Sequence, residues 1–413
     1  MELTATNISS SNGFYQKLIL DLLIKMPLGR CVITLPNGET VPIGNGEGNI
    51  SAAITINNIS FFKRCVLYGD IGFGEAYVDG DWDTENITNV LKWFLLNVEH
   101  APSVSGSNVK SFTLNVLKFF NKLTHLKRAN NIAGSKKNIS AHYDLNNDFF
   151  ALFLDSSMTY SSAYFKQEAT PLIEAQMAKY ERLCQQLHLR PTDHVLEIGS
   201  GWGGNAIYMA QHYGCKVTTI TISAEQYKFA KEKVEAANLS HKINVQLQDY
   251  RYLQGSFDKI VSIEMLEAVG AKFMDVYFKK VNELLKKDGI LVLQVITCPD
   301  ARFEKLRTGV DWIQKHIFPG SLLPSVAAIN KSINSTSNMA LVDLKDIGLH
   351  YAKTLQLWHE QFNKNLHDVK KLGFNDTFIR KWNYYLCYCE AAFTMRNIHV
   401  MQLVYARPNN IGR

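Results

Sequence analysis

From Asp193 onward the chain alternates short apolar runs with helical ones, and that rhythm constrains the fold more than any other feature. "HVLEIGSG" reads as a strand running into a glycine turn, and "WGGNAIYMAQHYG" as a helix closed by Gly214. "KVTTITIS", "INVQLQDY", "FDKIVSIEM" and "GILVLQVIT" read as further strands, with "AEQYKFAKEKVEAANL" and "KFMDVYFKKVNELLKKDG" as helices among them. Strand and helix repeated in this way put successive strands parallel, with crossover helices on both faces. The expectation is therefore an α/β fold with a doubly wound, Rossmann-like sheet. "HVMQLVYARP" (His399 to Pro408) is expected to add a final edge strand.

The turn after the first of these strands matches the spacing G-x-G-x-x-G at Gly199, Gly201 and Gly204. Such a turn lets backbone approach a ligand closely and aims helix N–H groups at it. NAD and S-adenosylmethionine (SAM) both use that position, so the loop alone does not decide between them. Three neighbours favour SAM. Glu197, two residues before the first glycine, suits a ligand's ammonium group and would repel a pyrophosphate. The next strand ends "TITISAEQ", offering Thr221, Ser223 and Gln226 but no acid at its tip, where NAD proteins place one for the ribose. "QDYR" then closes the following strand with Asp249, an acceptor for an adenine amino group, beside Tyr250, a stacking face.

The first hundred residues read as a small mixed α/β unit, with a hairpin at Asn37-Gly38 inside "RCVITLPNGETVPIG" and a strand at "ISAAITINN". Between Ala101 and Tyr143 there is no Asp or Glu, while seven Lys and Arg accumulate, within a chain whose net charge is only +6. Apolar residues at Val109, Phe112, Val116, Leu117, Phe120 and Leu123 make part of that segment a basic amphipathic helix, which either packs between domains or lies on an anionic surface. The basic patch points to phosphate, as a lipid headgroup or in nucleic acid, or is a solvated linker face. The seven cysteines are scattered, and reduced thiols without a metal site are the expectation; Cys387-x-Cys389 reads as core. The start lacks the features of a signal peptide, and no apolar run is long enough to span a bilayer.

Six separated stretches, in order, resemble the cyclopropane fatty acid synthase family, which includes the mycolic acid cyclopropane synthases. They are "HYDLNNDFFALFLDSSMTYSSAYF" (His142 to Phe165), "LEIGSGWGG", "TITISAEQ", "DYR", "FDKIVSIEMLEAVG" and "DWIQKHIFPGSLLPS" (Asp311 to Ser325). "GDIGFGEAYVDGDWD" also looks like the small domain of full-length members. The resemblance implies a lipid-binding-type domain at residues 1–104, the basic linker helix at 105–137 and a SAM-dependent methyltransferase domain at 138–413. It further implies transfer of the SAM methyl to a cis double bond of an acyl chain on a membrane phospholipid. A carbocation forms, and loss of a proton to a bound bicarbonate closes a cyclopropane ring. The partner would be unsaturated phospholipid rather than nucleic acid. The enzyme would work in the cytoplasm at the inner face of the membrane, and a homodimer is compatible with that reading.

The resemblance carries SAM binding onto Tyr160, Ser161, Gly199, Gly201, Gly203, Thr221, Ile222, Gln226, Tyr250 and Arg251, to which the residue chemistry adds Glu197 and Asp249. It carries the bicarbonate pocket onto Ser162, Glu267, Gln294, Ile296 and Tyr351. Glu264 is the rival carboxylate, with a role toward the SAM amine. The alkene is a weak nucleophile and its cation must be kept from water, so an aromatic lining is needed, for which Trp382, Tyr384, Tyr385, Tyr388 and Phe393 are candidates or else core. His142 either orients the substrate or is a capping or buried histidine. Ser162, Gln294 and Ala268 stand where the best-known bacterial member has Cys, His and His. That departure keeps open a methyl-branched product, or a lipid-surface binding protein without turnover.

Overall fold

The computed structural model describes residues 5–100, 146–408 and 410, with side chains from residue 13 onward. The basic helix expected at 105–137 and His142 lie outside the described residues. The chain divides into two compact units.

The first unit draws on Met1–His125, Val310–Ile317 and Leu366–Asn397. Its sheet has the order β2-β1-β3-β4, with β1 (Arg30–Thr34), β2 (Thr40–Ile43), β3 (Ser51–Ile56) and β4 (Trp82–Asp83). The Asn37-Gly38 turn joins β1 to an antiparallel β2, with Gly38 at φ 86°. Its longer helices include Ala5–Leu23, Ser60–Val78, Ile87–Leu96 and Asp376–Thr394. Two glycines of the "GFGEAYVDGDW" stretch have packing reasons. A Cβ at Gly72 would lie 2.3 Å from the Arg64 carbonyl oxygen, and one at Gly74 would lie 2.6 Å from the Trp312 ring.

In this unit residues 310–317 and 366–397 cluster with the N-terminal residues. Arg380 donates to the Tyr77 and Trp82 carbonyls, and Thr88 donates to Glu390. An amphipathic helix announces which face it buries but not against what, so the sequence pattern left the partner of helix 376–394 undefined. Trp382, Tyr384, Tyr385 and Phe393 are buried in this unit, where Tyr384 packs against Trp312 and Tyr77. They are core of the first unit.

The second unit holds a seven-stranded sheet in the order β10-β11-β9-β8-β5-β6-β7. Its strands are β5 (His194–Ile198), β6 (Lys216–Thr221), β7 (Ile243–Leu247), β8 (Phe257–Ile263), β9 (Leu285–Thr297), β10 (Ala340–Asp346) and β11 (His399–Ala406). Strands β5 to β9 pair in parallel, and β11 runs antiparallel to both neighbours. Alternate side chains feed two cores. Leu196, Ile260, Leu291 and Leu403 pack with helices 274–284 and 326–336, while Val195, Val217, Val261 and Val404 pack with helices 172–187 and 204–213. Burial on both faces is what makes these strands continuous apolar runs.

The "HVMQLVYARP" strand is not the edge. It lies between β9 and β10, and β10 is the edge strand. "ALVDLKD" hides from a hydrophobicity reading because it is half polar and mostly exposed, and charged edge strands of this kind resist pairing with other chains.

Candidate active site

The C-terminal ends of β5, β6, β8 and β9 converge where a doubly wound sheet gathers its ligands. At the end of β5, Gly199, Gly201 and Gly203 have φ of 99°, 48° and 87°, a region where a side chain is strained. The amides of Gly199 and Ser200 both donate to the Ile220 carbonyl at the end of β6, which fixes the turn. A Cβ at Gly203 would press on Ala230 at 3.2 Å, and one at Gly204 on the Tyr180 hydroxyl at 2.8 Å. Trp202 is buried, donates to Asn147 at 2.7 Å and packs on Phe150. The tryptophan among the glycines thus anchors the segment that leads to Tyr160.

Glu197 is buried with both oxygens engaged, by the Thr219 hydroxyl at 2.6 Å and the Asn205 amide at 2.8 Å. Burial pushes its carboxyl up to about 7 despite those bonds. It ties β5 to β6 and to helix 204–213, so its action on a ligand is through the turn it holds. Asp249 likewise spends its carboxylate within its own loop. Arg251 grips it with Nε at 2.8 Å and a second nitrogen at 2.5 Å. Tyr250 stands edge-on to Tyr277 at 5.2 Å. Thr221 donates to Gln226, itself at the start of a helix capped by Ser223, and Ile222 lies between them.

Beside the turn is a second cluster. Glu264 follows β8 with φ of 49°, a left-handed conformation that costs a non-glycine residue about 1 kcal/mol. Its carboxylate oxygen Oε1 accepts from the Ser162 amide at 2.8 Å and from the Gln294 side chain at 2.8 Å. Gln294 also reaches the Ser162 carbonyl, and is held in turn by Gln402, which accepts from Arg182. Glu267 is turned the other way. Its Oε1 accepts from the Ile296 amide, and its buried Oε2 has no partner. Burial, then the neighbouring Glu264 charge, pushes Glu267 up to about 8.

Lys179 was not anticipated. It is fully buried on helix 172–187, donates to the Ser161 hydroxyl at 2.8 Å, and is pushed down to about 7 by burial against the pull of Glu264. A lysine one turn from Gln176 and Leu183, on the apolar face of its helix, was the available signal. The aromatic lining differs from the one anticipated. Tyr160 stacks on Trp358 at 5.2 Å, Trp358 meets Tyr351 edge-on at 5.9 Å, and Phe150 and Phe153 flank Tyr160.

A sheet of this order, with one antiparallel strand next to its edge and a glycine turn after the first strand, defines a SAM-dependent methyltransferase of the doubly wound class. Residues 131–403 match the family described as "Mycolic acid cyclopropane synthetase". The chain belongs to that family. It is 38% identical over 366 residues to the cyclopropane-fatty-acyl-phospholipid synthase of Escherichia coli K12, covering 87% of this chain and 89% of that one. It is 36% identical over 356 residues to the tuberculostearic acid methyltransferase UfaA1 of Mycobacterium tuberculosis, covering 84% and 81%. The solved mycolic acid cyclopropane synthase CmaA1, complexed with SAH and CTAB, superposes with a TM-score of 0.61 at 30% identity, over 66% of this chain and 98% of that one.

Proposed function

We propose that the enzyme transfers the SAM methyl to the cis double bond of an unsaturated acyl chain of a membrane phospholipid and closes a cyclopropane ring there. The observation that carries this reading is one unit holding three parts: the glycine turn, an oxyanion-type cluster at Glu264, and an aromatic wall of Tyr160, Tyr351 and Trp358. The likeness to the Escherichia coli synthase supports the phospholipid as substrate.

The chemistry assigns work to each part. The alkene's π electrons form the new bond to the methyl while the carbon–sulfur electrons return to sulfur. Because the alkene is a poor nucleophile, most of the acceleration comes from alignment. The resulting cation is stabilised by ring faces and protected by the exclusion of water. A proton then leaves the transferred methyl as its C–H electrons close the ring, and an acceptor must stand beside it. The resemblance implies bicarbonate, but Ser162 and Gln294, two of the five residues implied to hold it, already donate to Glu264.

Among the described residues no helix is long and apolar enough to cross a membrane. We place the enzyme at the cytoplasmic surface of the membrane, reached through the acid-free basic segment 101–143. Vesicles of unsaturated phospholipid, incubated with enzyme and SAM, should gain one CH2 per modified chain and lose the alkene proton signals. Unchanged lipid sinks the proposal. The likeness to a tuberculostearic acid methyltransferase favours a second reading, a methyl-branched chain, which the same mass gain with retained unsaturation would reveal.

A further inference from the structure

We infer that Glu264 is the enzyme's own proton acceptor, its carboxylate standing where the family resemblance implies a bicarbonate. This inference rests on the cyclopropanation reading and names the base for it.

Two independent segments donate to one oxygen of this carboxylate: the Ser162 amide before helix 172–187 and the Gln294 side chain on β9. An oxyanion needs such donors, and here they are spent on the protein's own carboxyl. A second ion would meet a carboxylate at the place it must occupy, and like charges in a buried site repel. The backbone at Glu264 also carries its left-handed strain at this point, and strain of that kind persists where the surrounding structure holds a functional side chain in place.

The neighbours suit a base. Burial raises the Glu264 carboxyl, and the hydrogen bonds from Gln294 and Ser162 and the Lys179 charge oppose it. Glu267, three residues on, is neutral at pH 7 and so adds no second charge. The step balances. The methyl C–H bond breaks, its electrons form the third ring bond, and the proton goes to a Glu264 oxygen before passing to solvent. SAM and alkene yield SAH, cyclopropane and one proton, with no external base consumed.

The test uses the full chain, SAM and unsaturated phospholipid vesicles in buffer purged of carbon dioxide, with and without added bicarbonate. Wild type should convert lipid at the same rate in both. Glu264→Gln should lose roughly 100-fold or more in kcat, the range for removal of a general base, with SAM binding unchanged by calorimetry. Glu264→Gly suits the left-handed backbone and opens the donor array, so added bicarbonate or formate should restore part of its rate. A wild type that turns over only with bicarbonate overturns the inference, and that arm needs no variant to fold. So does a Glu264→Gln enzyme with wild-type kcat. If wild type leaves the alkene intact in both buffers, the cyclopropanation reading fails and takes this one with it.

Discussion

Glu197 and Glu264 are both acids at the ends of neighbouring parallel strands, yet they serve differently. Glu197 gives its two oxygens to Thr219 on the adjacent strand and Asn205 on the following helix, all within a span of 22 residues. Its work is to hold the glycine turn in shape. Glu264 instead gathers donors from residues 162 and 294, and has for a neighbour Glu267, whose carboxyl burial pushes up to about 8. A carboxylate satisfied locally is a strut. One satisfied by distant segments marks the place where the fold was assembled around a charge.

The comparison breaks most visibly at the turn that Glu197 supports. Gly203→Val combines a φ of 87° with a Cβ 3.2 Å from Ala230, so the turn must shift or the helix after it must move. Loss of measurable SAM binding by calorimetry is expected; micromolar binding retained would mean that the turn is not the cradle. The second cluster breaks more selectively. Glu267→Gln keeps the size and one acceptor for the Ile296 amide but removes the titrating carboxyl. Its kcat should fall on the order of 100-fold while SAM affinity stays within about threefold of wild type. Equal losses in both would move Glu267 into the SAM site.

The turn and its strand rhythm were legible because their reasons are local. A glycine with positive φ, a strand ending in Glu and a Ser capping "AEQ" each leave their mark within a few residues. Ser162, Gln294 and Tyr351 could be grouped only through family resemblance, and that grouping centred on Glu267 rather than Glu264. The partners of Glu264 lie 102 and 30 residues away for the two bonds from Ser162 and Gln294, and nothing local announces such a convergence. The partners of helix 376–394 were hidden for the same reason. Its aromatic residues announce burial, while the unit they are buried in is decided by Thr88, Tyr77 and Trp82, some 300 positions earlier.

The aromatic wall offers a smaller effect. Trp358 stacks on Tyr160 and is buried, and its indole face is the strongest cation binder in the cluster. Trp358→Leu should cost about 1–2 kcal/mol of transition-state stabilisation, roughly tenfold in kcat, together with lower thermal stability from the volume lost. Trp358→Phe should recover most of the stability and only part of the rate. A phenylalanine variant with full rate would mean that the indole is packing and nothing more.

The smallest effect sharpens the contrast between strut and cluster through pH. Both Glu197 and Glu267 titrate higher in the folded protein than their ordinary 4.5, at about 7 and about 8. Above pH 4.5 the unfolded chain has released a proton that the folded one keeps, so each group's contribution to stability is whole at low pH and drains as pH rises to its folded value. Lys179, pushed down to about 7, acts in the opposite direction and only above that pH. Glu197→Gln should therefore flatten the fall in unfolding free energy between pH 5 and 7, by about 1 kcal/mol per unit at most, and change nothing between 7 and 8. Glu267→Gln should flatten the whole interval from 5 to 8. Chemical denaturation at each pH measures both slopes. Identical profiles for the two variants would mean that the carboxyls share one environment, and the distinction between a locally satisfied strut and a charge-gathering cluster would collapse.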